Sequence, residues 1–415
     1  MARIFPIKGI MYNSELDNDL GKFLCPPFDV VDDNDKNKLY ALSEHNVIRL
    51  ENGKSFISDD NDENKYTRSS KFLNDWLSKG ILVKDNSESF FILEEIFENN
   101  NKHISRSSLI CNVKVEDYKK KIVLPHEKTR EKQKKDRFEL MKNTKAVFSP
   151  IMSMIEDKDR QFMQFVNDEK TAEPYISGEI PFMHKFNLWK IQDKDRISYA
   201  TSLVENEKIF IADGHHRYET SLNYKQFDSK VDKRIMNIFS SHDKGLLLFG
   251  YSRAIKNLNK KNLEDLIQEL SNKFSVKEIT WDESLINWNQ STEEIILMEY
   301  KDKVFTLDKG VETISTYEKL HSVFDDLLGK ENVINHIEYI HDNVSLKKKI
   351  KNDEIQLSFS MNALSKEYFL DCVSEGKLLP PKSTLFYPKL PTGLVIQYPV
   401  SYTHLTLPTT RCVDM

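Results

Sequence analysis

Cysteine and long apolar runs are scarce in this sequence. The four cysteines among 415 residues, Cys25, Cys111, Cys372 and Cys412, lie far apart and show no C-x-x-C or similar metal-ligand spacing. The N-terminus lacks an apolar core of signal-peptide length, so we expect reduced thiols in a cytoplasmic protein rather than a disulfide framework. No run approaches the roughly 18 apolar residues that span a membrane, which argues against a membrane partner.

Glycine is also scarce, and charge of either sign is not in large excess. The sequence has 12 glycines and contains neither a Walker A motif nor the protein-kinase G-x-G-x-x-G, so no ordinary ATP-binding loop is indicated. Its 65 acidic and 60 basic side chains give a net charge of −5. That balance argues against a protein that coats nucleic acid through bulk charge.

One stretch, Ile209–Glu219, combines features of an anion-binding site. An apolar strand ends at Asp213-Gly214, and glycine permits a turn that other residues resist. A helix then begins with His215, His216 and Arg217. Backbone amides at the helix start, together with these side chains, would form a phosphate cradle. The alternative for such residues is a capped, solvated surface turn; their grouping after a buried strand favours function.

A second stretch, Leu124–Arg130, lies between a predicted strand and a charged helix at residues 131–143. It places His126, Glu127, Lys128 and Thr129 at one strand-to-helix junction. An imidazole, a carboxylate, an ammonium and a hydroxyl are the groups needed to bind an anion and move a proton. Most lysines of the following helix are interpreted as a solvated face.

A third stretch, Leu379–Leu394, contains four prolines, from which we predict that it has no regular structure. Its polar residues are Lys382, Ser383, Thr384 and Lys389. A proline-braced loop that wraps the core is at least as plausible as an active-site lid. Arg49, in a predicted strand over residues 46–50, is a secondary candidate for the same site.

Strand patterns and helix patterns both occur along the chain. We predict a core over residues 1–255 and a smaller α/β region over residues 256–400 that carries the Pro-rich loop. This second region would act as a lid, extend the sheet or mediate formation of a homodimer. Residues 401–415 lose the Lys, Asn and Glu bias and are interpreted as a non-native tail.

The stretches also carry a family resemblance over residues 3 to 397. The chain resembles the prokaryotic domain-of-unknown-function family 1015 in six short blocks that occur in register: Phe5-Pro-Ile-Lys-Gly9, Cys25-Pro-Pro-Phe-Asp-Val30, Asn46–Leu50, Pro125–Thr129, Ala212–Thr220 and Pro380–Lys389. Its Asp-Gly-His-His-Arg core is similar to that of free-serine kinases with a ParB/sulfiredoxin-type fold. This resemblance implies an α+β protein with a mixed-sheet, ParB/sulfiredoxin-like catalytic core. It also implies transfer of a phosphoryl group to the hydroxyl of L-serine.

The donors that the resemblance implies are pyrophosphate, ADP and ATP, of which the scarcity of glycine slightly favours the compact ones. The site residues are assigned as follows: Glu127 as base, His216 and Asp213 as catalytic groups, Asp213 also as a ligand of Mg²⁺, and Gly214, His215, Arg217, Lys128, Thr129 and Arg253 as phosphate contacts. His126, Arg49, Lys382, Ser383, Thr384 and Lys389 are assigned to the substrate or the lid. The family often has Thr-His-Arg where this chain has Tyr251-Ser252-Arg253, so Ser252 replaces an expected histidine.

Two other functions remain open from the sequence. ParB-like relatives bind nucleotide and DNA, and the basic helix at 131–143 favours such a regulator, although no helix-turn-helix is evident. A metal-dependent hydrolase built on Asp213, His215 and His216 ranks last, because adjacent helical side chains point about 100° apart.

Overall fold

A computed structural model describes residues 1–17, 19–129, 131–170, 172–280, 295–310, 314–340 and 343–398. The predicted tail at 401–415 lies outside these residues. The fold is α+β, as predicted, and contains a mixed sheet. Within the described ranges, no helix combines the length and apolar content needed to cross a lipid bilayer.

The strands and helices alternate along the chain. The strands are β1 (Ile4–Phe5), β2 (Ile10–Tyr12), β3 (Leu82–Lys84), β4 (Phe90–Asn99), β5 (Lys102–Lys114), β6 (Val123–Leu124), β7 (Ile151–Ile155), β8 (Ile176–Glu179), β9 (Lys185–Ile191), β10 (Ile209–Asp213), β11 (Lys233–Ser240), β12 (Leu247–Phe249), β13 (Ser252–Ile255), β14 (Ser275–Ile279), β15 (Ile295–Tyr300), β16 (Lys303–Asp308), β17 (Ile337–Ile340), β18 (Leu357–Met361) and β19 (Leu385–Tyr387). The helices are α1 (Asp33–Leu42), α2 (Ile48–Glu51), α3 (Lys65–Ser78), α4 (Glu131–Thr144), α5 (Gln161–Asp168), α6 (Lys194–Glu205), α7 (His215–Phe227), α8 (Lys260–Lys273), α9 (Thr316–Leu328), α10 (Val333–His336), α11 (Asn343–Lys351) and α12 (Lys366–Ser374).

A nine-stranded sheet forms the larger body, in the order β6-β10-β7-β11-β5-β4-β9-β8, with β1 paired to β5. β10 runs parallel to β6 and antiparallel to β7. The carboxyl ends of β6 and β10 therefore lie side by side at one end of the sheet, so the residues that follow each strand meet there.

The burial of β10 fixes this arrangement. Ile209, Phe210 and Ile211 are at most 1% exposed, and burying each such side chain contributes about 1.5–3 kcal/mol. Apolar clusters lie on both faces of the sheet, one of them including the buried side chains of α5 and α6. The strand that carries the motif is therefore held rigidly between two packed layers.

A second sheet of six strands, β14-β16-β15-β18-β13-β17, contains only antiparallel pairs. It begins with β13, a few residues before the boundary predicted after residue 255. The end of the chain then returns to the larger body: β19 pairs with β12, Ile396 bridges to Ile10, and Gln397 bridges to Val147. The Pro-rich segment, residues 379–394, thus packs near the nine-stranded sheet.

The strand predicted over residues 46–50 is wrong, because residues 48–51 form the short helix α2. The buried Asn46 side chain accepts a hydrogen bond from the amide of Ile48 at 3.0 Å and donates to two carbonyl groups at 2.8 Å. These bonds start a helical turn where the apolar pattern suggested a strand. The prediction of no regular structure in the Pro-rich segment is also wrong, because the proline-free residues 385–387 form the strand β19, which pairs with β12.

Candidate phosphoryl-transfer site

The turn after β10 has the predicted strand–turn–helix geometry. Gly214 has φ +102° and immediately precedes α7. A Cβ atom at this position would lie 2.9 Å from Nε of Arg217 and 3.0 Å from its Cζ. The position therefore needs glycine for two reasons: the left-handed backbone and the guanidinium packed against it.

His126 connects all three predicted stretches. Its Nδ1 lies 2.8 Å from the carbonyl oxygen of Ile211, and its Nε2 lies 2.8 Å from Oγ1 of Thr384. Because a carbonyl can only accept, Nδ1 carries the proton and Nε2 accepts from the threonine hydroxyl. Burial, followed by the neighbouring charge of His215, lowers the pKa of His126 to about 3, so the ring is neutral. His126 is thus a structural link between β10 and the Pro-rich segment.

His215 and Glu127 form a close pair beside this link. Nδ1 of His215 lies 3.2 Å from Oε1 of Glu127, and Nε2 of His215 accepts from the backbone amide of His126 at 3.3 Å. His215 is 1% exposed, whereas the Glu127 side chain is 28% exposed. Burial alone would raise the pKa of Glu127, but the nearby His215, followed by His126 and Lys382, holds it below its ordinary value. The carboxylate is therefore ionised at neutral pH and open on one side.

Asp213 holds two cations at the end of β10. Its Oδ2 accepts from Nη2 of Arg217 at 2.7 Å, and its Oδ1 contacts Nζ of Lys389. Against the opposing effect of burial, these two cations lower the pKa of Asp213 to about 2. Nζ of Lys389 also lies 3.3 Å from Oδ2 of Asp29. The pKa of Lys389 is raised, because the effect of its carboxylate partners exceeds the lowering caused by burial. The ammonium of Lys389 stays charged.

The Pro-rich segment is fixed to the site at several points. Besides Thr384 and Lys389, the amide of Leu379 donates to the carbonyl of His126 at 2.8 Å. Ser383 donates to the carbonyl of Pro380 at 2.8 Å, which braces the segment internally. Lys382 is exposed, with Nζ 5.1 Å from the Tyr251 ring centre, and its charge acts on Glu127.

The other predicted phosphate contacts differ in environment. Lys128 is exposed, and His216 is half-buried at the first turn of α7. Thr129 donates to Glu219 at 2.6 Å, so it fastens the second stretch to α7. Arg217 is 5% exposed and also donates to the carbonyl of Pro150, which makes it an anchor as well as a cation.

Two predicted residues lie in other surroundings. Arg253 lies on β13 of the six-stranded sheet and is fully buried. Its guanidinium stacks on Tyr317 and donates to the carbonyls of Tyr251 and Pro381. It supports the Pro-rich segment from behind, and Ser252 beside it is 8% exposed on β13. Arg49 donates to the carbonyl of Tyr40 at 3.0 Å and stacks on that ring.

The carboxylates offer a limited site for magnesium. No group of three His, Cys, Asp or Glu side chains suitable for a metal occurs among the described residues. Asp213 and Glu127 lie near each other, since the charge of Glu127 raises the pKa of Asp213. Proteins hold Mg²⁺ by one or two carboxylates together with substrate phosphates and water. The residues fit an ion that arrives with a phosphate-bearing ligand, and they do not form a complete cage.

Sequence reasoning missed two groups at the site. Asp29 contacts Lys389, and Tyr251 lies close enough to Lys389, Asp213 and Glu127 for their charges to act on its hydroxyl. Burial, chiefly, raises the pKa of Tyr251 to about 12. Asp29 lies in the Cys-Pro-Pro-Phe-Asp-Val block, so that block was the available signal. Tyr251 was noted only as the neighbour of Ser252.

Solved structures with partial likeness have low identity. A free serine kinase in complex with AMP is 16% identical, with a TM-score of 0.37, 66% of this chain covered and 89% of that chain. A conserved hypothetical protein from Pyrococcus furiosus is 16% identical, with a TM-score of 0.36 and coverages of 66% and 92%. SbnI with a C-terminal truncation, from Staphylococcus aureus, is 12% identical, with a TM-score of 0.40 and coverages of 70% and 87%.

No curated protein matches this chain. A family model described as a protein of unknown function (DUF1015) matches residues 4–327, which include the first two predicted stretches and most of the second sheet. The match confirms the family resemblance over these residues, which contain five of the six sequence blocks; the block Pro380–Lys389 lies beyond it. The chain belongs to the DUF1015 family.

Proposed function

We propose that this protein is a small-molecule kinase that transfers a phosphoryl group from pyrophosphate, ADP or ATP to the hydroxyl of free L-serine, giving O-phosphoserine. One observation carries the proposal: an ionised, partly open carboxylate, Glu127, lies at the same end of the sheet as the cations Arg217 and Lys389. Phosphoryl transfer requires little more than an oriented acceptor and neutralised charge on the transferring group.

Glu127 takes the role of general base. The serine oxygen attacks the terminal phosphorus of the donor, the bond from that phosphorus to the leaving phosphate oxygen breaks, and the hydroxyl proton passes to Glu127. The imidazole of His215 faces the carboxylate, with Nδ1 3.2 Å from Oε1, and is itself fixed by the amide of His126. His215 is therefore a positioning residue.

Positive groups from two parts of the chain would neutralise the negative charge of the phosphate. The first turn of α7 supplies backbone amides, the positive end of a helix dipole and His216. Lys389 brings an ammonium from the Pro-rich segment, while the exposed Lys128 and Lys382 lie on the open side. Asp213 orients Arg217 and Lys389. When bound with the donor, Mg²⁺ would be held by Asp213 together with the donor phosphate and would neutralise developing charge.

Serine as the acceptor and the choice of donors rest on the sequence resemblance to free-serine kinases. The test is to incubate the purified protein with Mg²⁺, L-serine and pyrophosphate, ADP or ATP in turn, and to follow phosphoserine by phosphorus NMR. We expect product with at least one donor and none after EDTA is added. No product with any donor would refute the serine-kinase proposal.

The described contacts do not favour the DNA-binding alternative. In the basic helix α4, Lys134 pairs with Glu131 and Glu219, and Arg137 pairs with Glu51. These cations serve the internal packing of the protein. A cytoplasmic location and a homodimer remain predictions.

A further inference from the structure

A small cavity beside the candidate site is walled by three arginines. It lies between α4, α7, β11 and the segment before β7, and its polar lining consists of Glu51, Arg137, Ser149, Arg217, Thr220 and Arg234. Arg217 belongs to both places, because it binds Asp213 at the candidate site and also borders the cavity. The side chain of Arg217 therefore lies between the cavity and the proposed phosphate site.

Among the described residues, Arg234 has no carboxylate within ion-pair distance, although Glu51 acts on it at longer range. It donates to the carbonyl of Ser149 at 3.1 Å, and its buried Nε has no hydrogen-bond acceptor among the described residues. It is 5% exposed. The other two arginines are paired, Arg137 with Glu51 at 3.0 Å and Arg217 with Asp213 at 2.7 Å. A buried cation without a close ion-pair partner is destabilising, and an anion beside it would offset that cost.

The lining charges favour an anion over water alone. Three guanidinium groups face one carboxylate, Glu51, which leaves a net charge of 3 − 1 = +2 on the lining. Asp213 and Asp136 bind Arg217 and Arg137 from outside the cavity, but each also pairs with a lysine, Lys389 or Lys65. Burial, then the charge of Arg217, lowers the pKa of Arg234 to about 9, so it remains protonated at neutral pH.

We propose that this arginine cavity binds a phosphate group, with Arg234 as its main recognition residue. The cavity, with a volume of about 20 Å³, is far too small for a nucleoside, so an anion that contacts its arginines must be compact. The planar fork of an arginine matches phosphate oxygens in pairs. The phosphate group is either free orthophosphate or the end group of a phosphate donor. The proposal concerns binding alone and stands independently of the proposed kinase activity.

Thermal unfolding in orthophosphate tests the site, at constant ionic strength maintained with chloride. A ligand that binds the folded state raises the melting temperature with its concentration. We expect a saturable rise in the full-length protein and at least about a tenfold weaker apparent affinity in Arg234→Met, because a charged hydrogen-bonding partner is lost. Without phosphate, Arg234→Met should be as stable as the parent, since methionine replaces an unpaired buried charge.

Lys142→Met is the matched control, because it removes one positive charge from an exposed position on α4 away from the cavity lining. It should keep the full phosphate response. If Arg234→Met does not fold, Arg234→Gln replaces it in the same comparison. Pyrophosphate or ADP that competes with orthophosphate would identify a donor phosphate as the occupant, whereas absence of competition would identify free phosphate. An equal phosphate response in the Arg234 variant, or none in the parent protein, would overturn the proposal.

Discussion

Glu127 depends on His215 for its charge state. The imidazole of His215, with Nδ1 3.2 Å from Oε1, stabilises the carboxylate form of Glu127 and so depresses its pKa. In His215→Leu this polar contact is lost while burial remains, so the pKa of Glu127 should rise. We expect the acid limb of the pH profile of kcat/KM to move to higher pH, with activity reduced by about 10²-fold or more.

The matched control for that profile is Lys128→Met, which removes an exposed charge next to Glu127. Its acid limb should move much less than that of His215→Leu. A His215→Leu profile that coincides with that of the parent protein would show that His215 does not set the ionisation of Glu127.

Asp213 should contribute to stability in a pH-dependent way. Its pKa in the folded state, about 2, lies below the ordinary value near 3.8, so its contribution is present above about pH 4 and lost as pH falls toward 2. The shift corresponds to about 2 kcal/mol. Urea unfolding of Asp213→Asn should show a loss of about this size at pH 7 and a smaller difference from the parent near pH 3.

The double variant Asp213→Asn/Lys389→Met provides the control, because it also removes one of the two cations left behind. It should regain part of the lost stability. A difference between Asp213→Asn and the parent that stays constant across this pH range would contradict the ion-pair account.

At the scale of elements, the Pro-rich segment is held to the sheet by a neutral histidine. In Thr384→Val, Nε2 of His126 loses the hydroxyl that donates to it, and a buried acceptor without a donor costs about 1–3 kcal/mol. We expect faster amide hydrogen exchange in residues 379–390 and a changed nitrogen chemical shift for the His126 ring.

Ser383→Ala separates this contact from general loosening of the segment. Its hydroxyl bonds to Pro380 within the segment and does not contact His126. Amide hydrogen exchange alone does not distinguish the two variants, because both affect the segment. The nitrogen chemical shift of the His126 ring should change in Thr384→Val and stay constant in Ser383→Ala. An unchanged His126 shift in Thr384→Val would show that the two side chains do not bond in solution.

The strand–turn–helix at residues 209–219 was predictable because its determinants are local. Four apolar residues form the strand, and Gly214 permits a conformation that other residues avoid. The strand at 46–50 was predicted wrongly because the deciding contacts are not local: the side chain of Asn46 bonds to the carbonyls of Lys22 and Leu24. The periodicity of apolar residues in a sequence does not reveal hydrogen bonds between distant positions.

For the whole molecule, the sequence identified the three stretches but not the contacts that join them. Lys389 reaches Asp213 and Asp29 across 176 and 360 positions of the chain, and these contacts depend on the return of the C-terminal segment to the first sheet. Arg253 shows the reverse case. Its motif suggested a phosphate contact, but the second sheet buries it behind the Pro-rich segment.

The arginine cavity is also a property of the assembled fold. Glu51, Arg137 and Arg234 lie in three separate parts of the chain, and none of them belongs to a recognisable motif. Their proximity follows from the packing of α2 and α4 near β7 and β11. Only the three-dimensional arrangement shows that, among the described residues, Arg234 has no carboxylate within ion-pair distance.

The most direct test of the central claim compares phosphoserine formation by the parent protein and Glu127→Gln, with matched melting temperatures and saturating donor. Glutamine keeps the shape of Glu127 but cannot accept the serine proton as a carboxylate does. We expect the turnover rate to fall by about 10²–10⁴-fold while donor binding changes little. Equal turnover in the two proteins would contradict the assignment of Glu127 as the base and the phosphoryl-transfer site built around it.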